Sequence, residues 1–213
     1  MQTLIVICSK YPNPTLPNCV RNLYEKQIKQ SLDYKICIVD SESTDLMHYR
    51  KVEDEFPDVE ICYVNNKNYE YGAWKYAYTK YPNFDTYILI QDTIILHKEI
   101  PLENINNETA YTFFHDSGYN SDKGIKSRGI ENMKSSGLYI KNLVDTDFRL
   151  AQHSSFIVNN KVLKNIFSTL TIPPVNKAGS CFYERNFGLY FICRNINTIN
   201  LHDYMIKING KRM

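Results

Sequence analysis

The stretch YILIQDTIIL at residues 87–96 is apolar at nearly every position except Gln91, Asp92 and Thr93, and Asp92 is its only charged residue. Burying an unpaired carboxylate costs several kcal/mol, on the order of the stability of a whole small domain. We therefore expect Asp92 either to emerge at the end of a buried strand into a polar site or to bind a cation. A strand-end carboxylate in a plain turn is the alternative interpretation.

Polar residues also follow two other apolar runs. Ser9 and Lys10 come directly after TLIVIC (3–8), and Asp40 ends YKICIVD (34–40). The carboxyl ends of parallel strands meet at one edge of a sheet, and ligands bind outside that edge. The sequence therefore predicts that these side chains lie along the same edge as Asp92.

The elements that must position these residues alternate between strands and helices. Continuous β-branched runs are typical of strands covered on both faces, and apolar residues at helical spacing indicate the helices between them. The predicted strands are 3–8, 34–40, 58–64 and 86–91; the predicted helices are 17–31 (N-cap Asn18), 44–56 (capped by Thr44 or Asp45) and 72–81. This order predicts an α/β fold with a mostly parallel sheet flanked by helices.

The pattern changes after residue 100. Strands are predicted at 109–116, 137–144 and 154–158, and helices at 160–170 and 183–195. Between them, 117–137 is rich in Gly, Ser, Lys and Asn and is predicted to be a loop. Since neither an internal repeat nor a linker is evident, we predict one domain spanning 1–213.

Composition excludes several classes of protein. The 213 residues carry a net charge of +2, and the basic residues are scattered, so no nucleic-acid surface is expected. No apolar stretch approaches the ~20 residues of a membrane span, and the N-terminal apolar run is too short for a signal peptide, which favours the cytoplasm. The six cysteines form no C-x-x-C pair, so neither a zinc site nor a disulfide framework is predicted.

Three stretches, in order, resemble motifs of the nucleotide-sugar-dependent glycosyltransferases of the GT-A fold. KICIVDSESTD (35–45) resembles the second strand of that family, which is written as apolar residues followed by V-D-D-G-S-T-D. NYEYGAWKYA (68–77) resembles its N-L-G-x-G-x-A-R-N segment, with Lys75 in place of the arginine. YILIQDTIIL resembles the L-D-x-D strand end, in the L-D-Q-D-T version of rhamnosyltransferase-like members. The resemblance covers roughly residues 3–100 and implies a GT-A-like fold.

The resemblance also implies a UDP-sugar donor bound by the half of the domain spanning 1–100. Asp40 would accept the uracil N3–H, although capping of the turn DSESTD is the alternative. Asp92 would bind Mn²⁺ or Mg²⁺ on the diphosphate. Ile90 stands where the first aspartate of the motif belongs, so Gln91 is the candidate for the ribose contact. The remaining candidates on the nucleotide-sugar side are Ser9, Lys10, Tyr11 and Lys75.

A second protein ligand for the metal is implied, because the motif supplies one carboxylate here. The family often uses a histidine near the C-terminal end, and His202 in NTINLHDYMIKI matches that role by position. His115 with Asp116 is the competing pair.

The half spanning 101–213 resembles the acceptor side of the family. AQHSSFIVNNKVLKNI (151–166) makes His153 and Ser154 candidates for contact with the sugar or the acceptor. CFYERNFGLYF (181–191) resembles the helix that carries the catalytic carboxylate of inverting members, which points to Glu184. An ion pair between Glu184 and Arg185 is the alternative.

The predicted function is transfer of a hexose or 6-deoxyhexose from a UDP-sugar to a glycan or glycoprotein acceptor. A metal-dependent nucleotidyltransferase is the alternative enzyme, but the loop after the first strand, SKYPNPTLPN, has three prolines and no glycine to hold a triphosphate. A non-catalytic module that binds nucleotide-sugars or glycans is the third hypothesis, because the D-x-D motif lacks its first aspartate.

Overall fold

A seven-stranded sheet forms the centre of the protein. In the computed structural model, which describes residues 1–12, 14–29, 33–115, 119–120, 130–133 and 147–208, the strand order is β10-β6-β9-β4-β1-β2-β3. The strands are β1 (Thr3–Ser9), β2 (Tyr34–Ser41), β3 (Glu60–Val64), β4 (Thr86–Gln91), β6 (Thr109–Thr112), β9 (Phe156–Asn159) and β10 (Asn197–Asn200). Only β9 runs antiparallel to its neighbours in this sheet. The predicted α/β fold with a mostly parallel sheet is confirmed.

Helices of the described ranges cover both faces of the sheet. They are α1 (Leu16–Leu23), extended by a π-helical turn over Tyr24–Ile28, α2 (Met47–Glu55), α3 (Tyr69–Lys80), α4 (Asn160–Thr169) and α5 (Lys177–Cys193). Two small two-stranded sheets stand apart from the central one: β5 (Ile94–Leu96) with β11 (Met205–Lys207), and β7 (Tyr119–Asn120) with β8 (Phe148–Arg149). Short 3₁₀ turns occupy Leu102–Asn104, Gln152–Ser154 and Leu201–Asp203.

Alternate residues of each central strand serve two separate cores. Leu4 and Val6 of β1 pack on one face of the sheet with residues of α3, α4 and α5. Ile5 and Ile7 pack on the other face with residues of α1 and α2. Because both faces of β1, β2 and β4 are covered, these strands are apolar along most of their length, which is why they are continuous apolar runs in the sequence.

Several helix starts differ from the prediction. Helix α1 begins at Leu16 with Pro17 in its first turn, so Asn18 lies inside the helix and is not its N-cap. Helix α2 begins at Met47, and neither predicted residue occupies its N-cap position, although Asp45 Oδ1 accepts the Met47 N–H at 2.9 Å.

Helix α5 begins six residues earlier than its predicted start at residue 183. The side chain of Asn176 caps it by accepting the Gly179 N–H at 2.8 Å. Asn is among the best N-cap residues, so Asn176 was the available signal, but its first turn lacks the apolar periodicity on which the prediction relied.

Parts of the second half fall outside the described residues. These parts are Asp116, the strand predicted at 137–144, and most of the loop predicted at 117–137. Within that loop, residues 119–120 form strand β7. Strands β6, β9 and β10 belong to the same sheet as β1 to β4, so one sheet spans both halves of the chain. The assignment of nucleotide binding to 1–100 and of acceptor binding to 101–213 stays a prediction. Among the described helices, none is both long and apolar enough to cross a membrane.

Candidate active site

The polar residues at the strand ends do meet at one edge. Ser9 pairs with Asp40 across β1 and β2, and Cys8 pairs with Gln91 across β1 and β4. A cavity of about 880 Å³ opens at this edge. Of the residues that the structure describes, four lysines, three acids and eight uncharged residues line it: Lys10, Lys67, Lys177, Lys207, Glu42, Glu70, Asp92, Cys8, Ser41, Asn66, Tyr69, Gln91, Thr93, Val175 and Ile208.

Asp92 lies in the wall of the cavity and is only 1% exposed. Its Oδ2 accepts a hydrogen bond from Ser9 Oγ at 2.9 Å. Its backbone N–H donates to the Cys8 carbonyl at 3.2 Å, and its own carbonyl accepts from Thr15 Oγ1 and Cys19 Sγ. The carboxylate is therefore held rigidly at the place where strand β4 reaches the cavity.

Gln91 is the centre of a polar network on the same wall. Its Nε2 donates to Glu70 Oε1 at 2.8 Å, and its Oε1 accepts from Lys207 Nζ at 2.8 Å. Glu70 Oε2 in turn accepts from Ser180 Oγ at 2.9 Å. Both ends of the Gln91 amide are used, so its orientation follows from its partners.

Asp40 lies beside the cavity, 2% exposed, and is not one of the lining residues. Its Oδ1 accepts from Tyr49 Oη at 2.6 Å and from Ser43 Oγ, and its Oδ2 accepts the Ser43 N–H at 3.0 Å. Burial, followed by this hydrogen bond, raises the pKa of Tyr49. Three of the roughly four acceptor directions of a carboxylate are thus used by described residues, and the fourth, on Oδ2, has no partner among them.

Asn66 fixes the neighbouring loop. Its Nδ2 donates to Ser41 Oγ at 3.0 Å and to the Tyr69 carbonyl at 2.7 Å. A Cβ on Gly72 would come within 2.0 Å of Asn66 Oδ1, so the first turn of α3 requires glycine there. Asn66, Glu70 and Lys67 were not among the predicted site residues; Glu70 lies within the motif 68–77, which was the available signal.

Strained backbone clusters around the cavity. Seven non-glycine residues of the described part have positive φ, and five of them belong to this region: Tyr11, Glu42, Tyr69, His153 and Ser154. Left-handed conformations of such residues are uncommon, and they concentrate at functional sites. The clustering supports a functional role for this edge, independently of any motif.

His153 and Glu184 contact each other beside the cavity. The Glu184 carboxylate accepts the His153 backbone N–H at 3.0 Å, and the Glu184 carbonyl accepts from Ala151 N–H at 2.9 Å. Burial raises the pKa of Glu184. Burial, assisted by the Lys207 ammonium, lowers the pKa of His153 to about 4. Arg185 directs its guanidinium to the Cys181 carbonyl at 2.9 Å.

Of the other predicted residues on the nucleotide-sugar side, Lys10 lines the cavity and Lys75 does not. Lys10 lines the cavity with its ammonium 5.4 Å from the ring centre of Tyr11, whose N–H donates to Ser43 Oγ. Lys75 lies outside the lining, 5.9 Å from the ring centre of Tyr71.

His202 also lies outside the cavity lining. Its ring stacks on His115 with 5.0 Å between ring centres, and its Nε2 lies 3.4 Å from Gln152 Oε1. Within the part of the chain that the structure describes, no three His, Cys, Asp or Glu side chains converge to hold a metal ion. His202 as the second metal ligand stays a prediction.

Comparison with known proteins places the fold. No family model and no curated protein matches the sequence. Among solved structures, the mannosyltransferase PcManGT from Pyrobaculum calidifontis, in complex with GDP-Man and Mn²⁺, matches 93% of this chain with a TM-score of 0.58 and 11% identity. S. aureus TarS matches 100% of the chain (TM-score 0.54, 9% identity), and TarS 1-349 matches 96% (TM-score 0.53, 10% identity).

These matches define a class of fold. At such identities they establish architecture alone, and the architecture is the GT-A-like one that the motifs implied. The chain spans 54%, 38% and 60% of the three matched chains, so it corresponds to only a part of each.

Proposed function

We propose that this protein is a glycosyltransferase that moves a hexose or 6-deoxyhexose from a UDP-sugar to a hydroxyl of a glycan or glycoprotein. In this reaction the bond from the anomeric carbon to the diphosphate breaks, the bond to the acceptor oxygen forms, and the acceptor hydroxyl loses its proton. The observation that carries the proposal is the cavity at the carboxyl edge of the sheet, with a buried carboxylate and four lysines in its wall.

Mn²⁺ or Mg²⁺ is part of the proposal. The donor set fits such an ion, because hard cations prefer carboxylate oxygens and Mg²⁺ is usually bound by one or two carboxylates together with substrate phosphates. Asp92 would hold the ion, with His202 as the predicted second ligand. When bound, the ion would neutralise charge on the departing diphosphate.

Asp40 is our candidate for reading the base. The acceptor direction left on its Oδ2 suits the single N3–H of uracil, and Ser43 and Tyr49 hold the carboxylate in place. Guanine offers two adjacent donors, N1–H and an amino group, so it would need a second acceptor direction in addition to the one on Oδ2. This difference supports UDP over GDP as the carrier, even though the matched mannosyltransferase was solved with GDP-Man.

Gln91 is proposed to contact the ribose, as the substitute for the missing first aspartate. Ile90 is 1% exposed and packs in the core beneath α1 and α2, so its side chain contributes nothing polar to the site. The contact of Glu184 with His153 supports a shared role beside the donor sugar; their catalytic assignments stay predictions.

The test is a donor panel that separates the three hypotheses. Purified protein is incubated with UDP- and GDP-sugars, with Mn²⁺, Mg²⁺ or a chelator, and released nucleotide is measured. A glycosyltransferase releases UDP from at least one UDP-sugar, through slow hydrolysis even without acceptor, and Asp92→Asn abolishes the release. Pyrophosphate released from a sugar phosphate and UTP would instead indicate a nucleotidyltransferase. Binding of UDP with no turnover for any donor, with or without glycan acceptors, would indicate a binding module.

A further inference from the structure

The last described strand brings a lysine into the cavity that the sequence motifs do not identify. Strand β11 pairs antiparallel with β5, which places Lys207 opposite Ile94. The next residue continues the contact, since Ile208 N–H donates to the Thr93 carbonyl at 2.8 Å. Lys207 and Ile208 therefore line the cavity beside Asp92.

Two of the groups that contact the Lys207 ammonium are neutral side chains. Its Nζ lies 2.8 Å from Gln91 Oε1 and 3.3 Å from His153 Nδ1. His153 is an acceptor at neutral pH, because its pKa is lowered to about 4, mainly by burial. Both contacts restrict where the ammonium can be.

The surroundings of Lys207 indicate an anionic ligand. Gln91, which accepts from Lys207 Nζ, directly precedes Asp92, so the ammonium and the proposed metal ligand both lie at the end of strand β4. Lys10 and Lys177 add positive charge to the wall, and Lys177 is the first residue of the 17-residue helix α5, whose N-terminus favours negative charge. A nucleoside diphosphate supplies the matching charge.

We infer that Lys207 binds the diphosphate of the nucleotide-sugar and stabilises the charge that develops on it as the glycosyl bond breaks. The inference rests on the proposed function. Gln91 and His153 act as positioning residues for the ammonium, so that little reorganisation is needed when the charge forms. Since a leaving diphosphate carries more charge than a bound donor, the effect should be larger on kcat than on KM.

The experiment compares Lys207→Gln with Lys207→Arg, using Lys98→Gln as the matched control. Lys98 lies two residues after β5, the strand that pairs with β11, and its ammonium is 5.1 Å from the ring centre of Tyr204; it does not line the cavity. Calorimetry in Mn²⁺ gives the affinities for UDP and for uridine, and UDP release gives kcat and KM. Lys207→Met serves as a second neutral variant, and thermal unfolding confirms that each variant is folded.

We expect Lys207→Gln to weaken UDP binding about tenfold or more, to leave uridine binding unchanged, and to lower kcat further than it raises KM. Lys207→Arg should recover most of the UDP affinity, and Lys98→Gln should match the wild type. Unchanged UDP affinity in a folded neutral variant would overturn the inference while leaving the proposed function intact. A wild-type protein that binds neither UDP nor GDP would overturn both.

Discussion

The contact between Glu184 and His153 can be tested by a pair of substitutions that separates two roles for the carboxylate. Glu184→Ala removes the acceptor of the His153 N–H, and Glu184→Gln replaces it with a neutral acceptor of the same shape. If Glu184 acts by holding the turn 151–154, the glutamine variant should retain most of the function. If it removes the proton of the acceptor hydroxyl, glutamine should be as damaging as alanine.

The magnitude follows from the geometry of the turn. His153 and Ser154 have φ of 62° and 50°, and two successive left-handed residues cost roughly 2–4 kcal/mol. The 3.0 Å hydrogen bond to a charged acceptor offsets about 1.5–3 kcal/mol of that cost, and a neutral acceptor about half as much. Because each 1.4 kcal/mol is tenfold, Glu184→Ala should lower the population of the turn about ten- to hundredfold, and Glu184→Gln about three- to tenfold.

The assay is UDP release at saturating donor and acceptor, with UDP affinity measured in parallel. We expect the two variants to differ by about threefold to tenfold in kcat. Thermal unfolding should show Glu184→Gln close to the wild type near neutral pH, since the weaker hydrogen bond is offset by removing the cost of ionising a carboxyl whose pKa burial raises. Glu103→Ala, at an exposed acid outside the cavity lining, is the control.

Equal losses of a hundredfold or more in both variants, with UDP affinity unchanged, would refute the positioning role and favour Glu184 as the general base. A loss of UDP affinity that parallels the loss of turnover would instead place the carboxylate on the donor side.

Three further substitutions and one pH profile test other parts of the site. Asp92→Asn should abolish the metal dependence of UDP binding while thermal stability holds or rises, because a buried charge is removed; a variant that keeps full metal dependence would make Asp92 structural. Asp40→Ala should weaken UDP binding about tenfold and lower the melting temperature by about 2–8 °C, since a buried tyrosine hydroxyl loses its acceptor; calorimetry and a thermal scan check both. Gly188→Ala should destabilise the fold by about 1–3 kcal/mol in urea, because its Cβ would meet the Arg149 carbonyl at 2.1 Å. The folded-state pKa of His153 lies near 4, below its unfolded value, so stability should fall as pH drops from about 6.5 to 4, and His153→Asn should flatten that slope.

The strands were predictable from sequence because a strand that is buried on both faces has a continuous run of apolar residues. Continuous apolar runs identified β1, β2 and β4 with their ends within one residue, and the parallel rule then placed Ser9 and Asp92 at a common edge. The register of the sheet fixes where the side chains at the strand ends lie. That part of the site therefore follows from local pattern and topology.

Lys207 and the start of α5 were not predictable in the same way. The lysine reaches the cavity only because β11 pairs with β5, a contact between residues more than a hundred positions apart. A strand of three residues, two of them exposed, carries too little periodicity to identify its partner or its register. The first turn of α5 is likewise polar, and only the N-cap residue marked it.

The strain around the cavity connects these observations. Five left-handed, non-glycine residues cost on the order of 5–10 kcal/mol together, which is comparable to the net stability of a domain. Glycine would remove most of that cost at each position, yet the chain has none there. Glu42 and Tyr69 line the cavity, and His153 contacts Lys207, which also lines it. These side chains thus stand at positions where the backbone is strained. Such strain is expected where the function of a site, at a cost in stability, determines which residue stands at a position. The buried carboxylate of Asp92 fits the same account, because burying a charge is costly and the metal ion that we propose for this site would offset part of that cost.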